Sequence, residues 1–203
     1  MKERPILFSG PMVRAILDGT KTMTRRIVKP QPVLTETAGL AWKGGVWGMK
    51  LDGQPYTDEF VKQCPYGVPG DRLWLRETHA QAGTGRVFYR ADEGTTAPRW
   101  TPAIHMPRAL SRSDLEVTAV RVERLQGITE EDVRAEGVRL PVSEEGHPLI
   151  QVPNPYAKPV RQWTISDYWR CAFACLWDEI NGARASWASN PWVWVVSFKR
   201  VRP

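Results

Sequence analysis

Proline and glycine punctuate this chain so closely that most elements between them must be short. The sequence holds 17 prolines and 16 glycines in 203 residues, many of them in the stretches 30–70 and 138–162. Proline fixes φ and removes a backbone donor, and glycine frees the chain for turns, so both end helices and strands. Ser9-Gly10-Pro11 reads as a helix start, with Ser9 or Gly10 as cap and Pro11 in the first turn. Val13, Ile16 and Leu17 then recur at helical spacing, and Gly19 is a suitable stop. The Gly70-Asp71 turn delivers a strand over Arg72–Glu77, a second short strand follows at Arg86–Arg90, and residues 102–108 read as an extended segment between prolines. Asp114 to Leu125 alternates as a strand, and Thr129-Glu130-Glu131-Asp132 has the form of a capping box opening a short helix that stops at Gly137. Ser166–Ile180 is the longest helical pattern, with Trp169, Phe173, Leu176, Trp177 and Ile180 on its apolar side, and Trp192–Val201 closes the chain as an apolar strand. Several strands, few helices and turn-rich connections predict an α+β fold, a small and mostly antiparallel β-barrel with flanking helices.

The length suits a single domain over residues 1–203 with loop insertions. With 42% hydrophobic residues the chain has material for a core and is not of disordered composition. It has no apolar run of the roughly 18 residues that span a bilayer, and Met1–Pro5 lacks the apolar region of a leader peptide, so a cytoplasmic protein is expected. Three cysteines give no disulfide framework. Cys171 and Cys175, four apart, share a helix face, and all three are expected reduced. Three histidines without compact spacing point to no metal site. The net charge of +6 and pI near 9.4 favour an anionic partner, nucleic acid first. Ten tryptophans leave one or two that could stack on a base.

Chemistry concentrates in Gly19-Thr20-Lys21-Thr22-Met23-Thr24-Arg25-Arg26. Lys21 stands three residues before Thr24, and two arginines follow at once. A lysine near a hydroxyl can act as base to a nucleophile, and arginines can hold a phosphate or a carbonyl oxygen. The same residues also suit an ordinary solvated basic loop. A second polar pair, Arg76-Glu77, ends an otherwise apolar strand. Glu77 can meet a base edge or pair structurally with Arg76 or Arg26, and the structural pair is the expected one. Trp74 is read as core, Arg108 and Arg112 as possible phosphate contacts, and His79 and His105 as loop or core residues.

Four segments together resemble the ASCH domain, a branch of the PUA-like barrel superfamily. They are Leu17–Arg26 after the first helix, Gly70-Asp71 leading into Leu73–Glu77, Leu115–Val120 leading to Ile128–Gly137, and the terminal strand Trp192–Phe198. The resemblance spans nearly the whole chain, interrupted by insertions near 31–66, 79–104 and 138–162. The long form with its Trp-rich C-terminal helix and strand resembles proteins of phages and prophages. The resemblance implies a PUA-like barrel with RNA, DNA or a modified nucleoside as partner, and a phage or prophage origin would place it in the cytoplasm of a bacterial host. The chemistry it suggests requires no metal or cofactor, and no membrane partner is expected.

In one branch of that family a Lys, a Thr and a Glu remove the acetyl group of N4-acetylcytidine, and these match Lys21, Thr24 and Glu136. Other members are ribonucleases. The resemblance thus implies a hydrolase with Lys21, Thr24 and Glu136 as catalytic residues, and the chemistry of the neighbouring side chains adds Arg25, Arg26, Arg76 and Glu77 as candidates around the substrate. Its alternatives are a non-catalytic reader of RNA, DNA or a modified base, and a phage protein docking on a partner through its Trp-rich tail. In the hydrolytic scheme Thr24 attacks the acyl carbonyl, and Lys21 is its base if neutral, with Arg25 and Arg26 as the cationic neighbours that favour neutrality. Glu136 relays a proton to the departing amine.

Overall fold

The computed structural model describes residues 1–35, 39–47, 58–83, 85–140 and 163–201. The chain is mixed α+β with mostly antiparallel pairing, and it divides into two compact units. Unit 1 comprises Met1–Thr22, Lys62–Val120 and Val196–Pro203; unit 2 comprises Met23–Val61 and Arg121–Val195.

Unit 1 opens with β1 (Glu3–Leu7) and α1 (Gly10–Leu17). The helix starts as the sequence predicts, with Ser9 at the N-cap and proline in the first turn, and Gly19 at φ 76° ends it. β6 (Arg72–Arg76) pairs in parallel with β1 and antiparallel with β9 (Asp114–Arg124), whose residues up to Val120 belong to this unit. The turn before β6 is tied down by Asp71, whose carboxylate accepts from the Lys2 amide at 2.7 Å and from Arg4 at 2.8 Å. On β6 Leu73 and Leu75 are buried while Arg72, Trp74 and Arg76 are half-buried, the alternation of a strand with one face inward. Trp74 is therefore not the core residue its apolar character predicts. β7 (His79–Gln81) and β8 (Val87–Tyr89) form a hairpin within the segment read as an insertion near 79–104. Residues 102–108, expected extended, instead make two single 3₁₀ turns at Ala103–His105 and Arg108–Leu110. Each starts after a proline, whose fixed φ suits a turn as well as a strand.

Unit 2 holds β2 (Met23–Ile27), the meander β3 (Val33–Thr35), β4 (Gly39–Trp42) and β5 (Gly45–Trp47), and the single turn α2 (Asp58–Val61). The 31–66 region, read as a loop insertion, is thus partly structural. Trp42 and Phe60 are buried, with their ring centroids 4.5 Å apart, and Phe60 stacks on Trp194 at 5.0 Å. Burying an aromatic side chain contributes about 1.5–3 kcal/mol, so this segment supports the unit rather than decorating it. α3 (Glu130–Ala135) begins at Thr129, whose hydroxyl accepts from the Asp132 amide at 3.2 Å. α4 (Ile165–Asn181) begins at Thr164 with a full capping box to Asp167. Phe173 and Trp177 join Met23, Leu125, Ile128, Val133, Trp187, Val193 and Val195 in one core cluster. Ile180, expected on the apolar side of α4, is 49% exposed. β10 (Trp192–Arg200), whose residues up to Val195 belong to this unit, is buried at every one of those positions, the mark of a strand covered on both faces.

The strand order of the largest sheet is β1-β6-β9-β10-β2. The other described sheets have three and two strands, in open order. Residues 141–162, most of the predicted third insertion, lie outside the described residues. No helix among the described residues is long and apolar enough to cross a membrane.

Candidate functional site

Lys21 belongs to unit 1 and owes its place to the end of α1. The Asp18 amide donates to the Arg14 carbonyl, the Gly19 amide to Ile16 at 3.1 Å and the Lys21 amide to Ala15 at 2.9 Å, so the chain folds back on the helix it has just left. Glycine is required at that reversal because its φ is positive. The result buries Lys21 to 2% exposure, with its ammonium nitrogen 5.8 Å from the centre of the Phe8 ring. A solvated basic loop would leave this lysine in water.

Thr24, Arg25 and Glu136 belong to unit 2. Thr24 is 3% exposed. On β2, Met23 and Arg25 share a face, the Arg25 guanidinium lying 3.5 Å from the Met23 sulfur and 5.9 Å from the Phe173 ring. Strand alternation sends the Thr24 side chain to the opposite face. Arg25 is wholly enclosed. Its Nη2 donates to Glu123 Oε1 and to Asp132 Oδ2, each at 2.6 Å, and its Nη1 lies 3.5 Å from Glu136 Oε1. Arg121 adds bonds of 2.9 Å to Glu123 and 2.5 Å to Asp132. Burial would raise the Asp132 carboxyl, but Arg25 and Arg121 outweigh it and hold that group below its ordinary value. Two arginines and three carboxylates thus form one network. Sequence reasoning placed Arg25 beside the substrate and as a cation near Lys21; here its charge is matched by carboxylates and its side chain is 0% exposed. Arg26, the next residue, is half-buried.

Glu136 is placed by α3, of which it is the C-cap, its amide bonded to Asp132 at 2.9 Å. Gly137 follows at φ 77°, as the sequence predicts. The side chain is buried, and the contact that fixes it on one side is Arg25.

Glu77 forms a second buried centre, in unit 1. Both its carboxylate oxygens accept from Arg112, Oε1 from Nε at 2.8 Å and Oε2 from Nη2 at 2.9 Å. The expected structural pair exists, but its partner is Arg112 and not Arg76 or Arg26, because the strand β9 brings the 108–112 turn beside β6. Burial pushes the Glu77 carboxyl up and Arg112 offsets part of the rise. Arg112 also meets Asp92 at 2.7 Å and lies 4.1 Å from the Tyr89 ring centre. The Arg76 guanidinium donates to the Ile104 carbonyl and lies 5.3 Å from the Trp74 ring centre. His79 is buried with its Nδ1 3.4 Å from the Glu77 carbonyl, and His105 is exposed.

A cavity of about 430 Å³ in unit 2 is lined by Gln31, residues 182–186, Ser189 and Pro191. None of the sequence-predicted site residues lines it. Gln31 is locked by bonds to Val28 and to both the carbonyl and the amide of Trp192, and the Ser186 and Ser189 hydroxyls bond each other's backbone. Its lining offers one guanidinium, Arg184, and no acid or nucleophile in reach of a base, so we do not assign the chemistry there. No group of three His, Cys, Asp or Glu suited to a metal ion occurs among the described residues. The free thiols sit high for cysteines, Cys64 at about 11 and Cys171 at about 12, because burial disfavours the thiolate.

Compared with family models, curated proteins and solved structures, the chain matches none of them.

Proposed function

We infer that this chain is an ASCH-type protein with a PUA-like barrel, and that it hydrolyses an acylated nucleoside or RNA with Lys21, Thr24 and Glu136. One observation carries the reading: Lys21, Thr24 and Glu136 are 2%, 3% and 6% exposed. Burying a polar side chain costs unless it is hydrogen-bonded or paired, and of the ten buried polar residues among the described ones these three are the ones that the ASCH resemblance picks out as catalytic. In an amide substrate, Thr24 Oγ1 attacks the carbonyl carbon and a neutral Lys21 accepts its proton. The C–N bond then breaks, and the proton taken from Thr24 is relayed through Glu136 to the amine that leaves. Water hydrolyses the Thr24 ester, releasing a carboxylic acid and restoring the hydroxyl.

The test is incubation of the protein with N4-acetylcytidine, related acylated cytidines and a structured RNA, followed by liquid chromatography with mass detection. Thr24→Ala and Lys21→Ala should each abolish turnover while leaving the fold intact. Full turnover in both variants would overturn the assignment. Strand or nucleoside binding with no product from the wild type would replace it with the non-catalytic reader.

A further inference from the structure

Between Arg72 and Arg112 the sequence has seven arginines, no lysine and three carboxylates, an excess of four in a chain of net +6. That every cation is an arginine matters, because a guanidinium stacks on flat rings and grips phosphate in ways an ammonium does not. The fold sets several of these arginines on aromatic faces. Arg76 and Arg108 lie 5.3 and 5.9 Å from the Trp74 ring centre, and Arg112 lies 4.1 Å from that of Tyr89. Both rings are half-buried. The two stacks are adjoining parts of unit 1: Arg108 opens the 3₁₀ turn Arg108–Leu110, Arg112 follows it by two residues, and the Tyr89 hydroxyl donates to the Leu110 carbonyl between them at 2.9 Å. Carboxylates hold the guanidiniums in place beforehand, Glu3 and Asp114 for Arg108, Glu77 and Asp92 for Arg112. Groups ordered in advance lose little entropy when a ligand arrives. Arg86, Arg90 and Arg99 of the same segment are exposed.

We propose that this arginine–aromatic surface of unit 1 binds single-stranded nucleic acid, stacking bases on the Trp74 and Tyr89 assemblies while the exposed arginines meet phosphates. Stacking requires unpaired bases and is tolerant of sequence, since every base has a flat face. A duplex hides those faces. The surface lies on β6 and on a segment that interrupts the ASCH resemblance, and it uses none of the three residues assigned to hydrolysis.

The experiment is fluorescence anisotropy with a fluorescein-labelled RNA strand of mixed sequence, the same sequence as DNA, and a blunt DNA duplex. Both single strands should bind at least about tenfold more tightly than the duplex at low salt. With three exposed arginines on phosphates, affinity should fall roughly 20-fold between 50 and 200 mM KCl. Trp74→Ala and Tyr89→Ala should each weaken strand binding about tenfold. Arg90→Glu, at an exposed position with no packing at stake, should weaken it and flatten the salt dependence. All three variants should keep whatever turnover the wild type shows on free N4-acetylcytidine, so failure of the hydrolase reading and failure of this one are separate results. Equal affinity for duplex and single strand, no binding by the wild type, or wild-type binding in a folded Arg90→Glu variant would overturn the proposal.

Discussion

Replacing Arg25 with methionine removes the head of the buried ion network and keeps most of its stem. Methionine is flexible enough to fill the space beside Met23 and Phe173. The lost guanidinium is 0% exposed and serves Glu123 and Asp132 at 2.6 Å each, with Glu136 at 3.5 Å. Arg121, whose side chain is 41% exposed, is left to serve Glu123 and Asp132 alone. Breaking a buried ion pair from one side costs about 3–5 kcal/mol, because the remaining charge stays buried. Glu123 and Asp132 are 22% and 14% exposed, so water recovers part of that. We expect a loss of about 3 kcal/mol at pH 7, at the lower end of that range. For a chain of this length the melting temperature should fall by roughly 6–12 °C.

The pH dependence has a definite sign. Asp132 is held below its ordinary value of 3.8, so its contribution is present above that pH and is lost as pH falls through the folded value. Urea titrations followed by tryptophan fluorescence should show a constant gap between wild type and variant near neutrality, closing only in acid. Asp132→Asn in the Arg25→Met background should recover part of the loss, since an amide needs no counter-charge. A gap under about 1 kcal/mol at pH 7 would mean that the pairs are screened like surface ion pairs, and would refute the reasoning.

Burial raises the Glu77 carboxyl, so the folded state keeps a proton the unfolded chain has lost, and stability declines as pH rises through the window just above 4.5. Glu77→Gln should flatten that slope in urea titrations at stepped pH; an unchanged slope would count against it. Gly19→Ala meets nothing within 4 Å but must hold φ at +76°. It should cost about 1 kcal/mol by urea midpoint, and a gain in stability would contradict the strained turn. With Cys64 at about 11 and Cys171 at about 12, a thiol reagent at pH 8 should label the native protein slowly and all three cysteines once urea unfolds it. Rapid labelling of the native chain would show that these thiols are accessible.

What was legible in the sequence was local. Caps, glycine stops and periodicity placed α1, α3, α4, β9 and β10, because each signal lies within a few residues of the structure it causes. What depends on distant partners was not legible. Glu77 finds Arg112 at a sequence separation of 35, and Arg25 finds Asp132 at one of 107. Trp74 looks like core by composition but lies on the half-buried face of β6, and which face turns inward is decided by what packs there. Trp42 and Phe60, which pack on Trp194 of β10, were hidden in a stretch whose prolines and glycines suggested only loop. A few aromatics well placed can outweigh many turn residues.

The motif at the start of β2 is best understood as two jobs separated by strand alternation. Met23 and Arg25 face the core of unit 2, one by apolar packing and the other by its carboxylate clamp. A slip of one residue would put Thr24 where Arg25 now sits, leaving Glu123 and Asp132 without their buried guanidinium, at the cost estimated for Arg25→Met. The clamp therefore fixes the register of β2, and with it the face on which Thr24 emerges. Arg25 also meets Glu136, so the same residue holds that carboxylate on the face of β2 opposite to the one from which Thr24 emerges. On this account Arg25→Met should lower turnover without touching the substrate. Arg25→Lys, which keeps the charge but not the planar fork, should restore stability more than it restores rate, because one ammonium cannot reproduce the geometry of a guanidinium shared among three carboxylates. Equal recovery of both would mean that Arg25 supplies charge alone and sets no geometry.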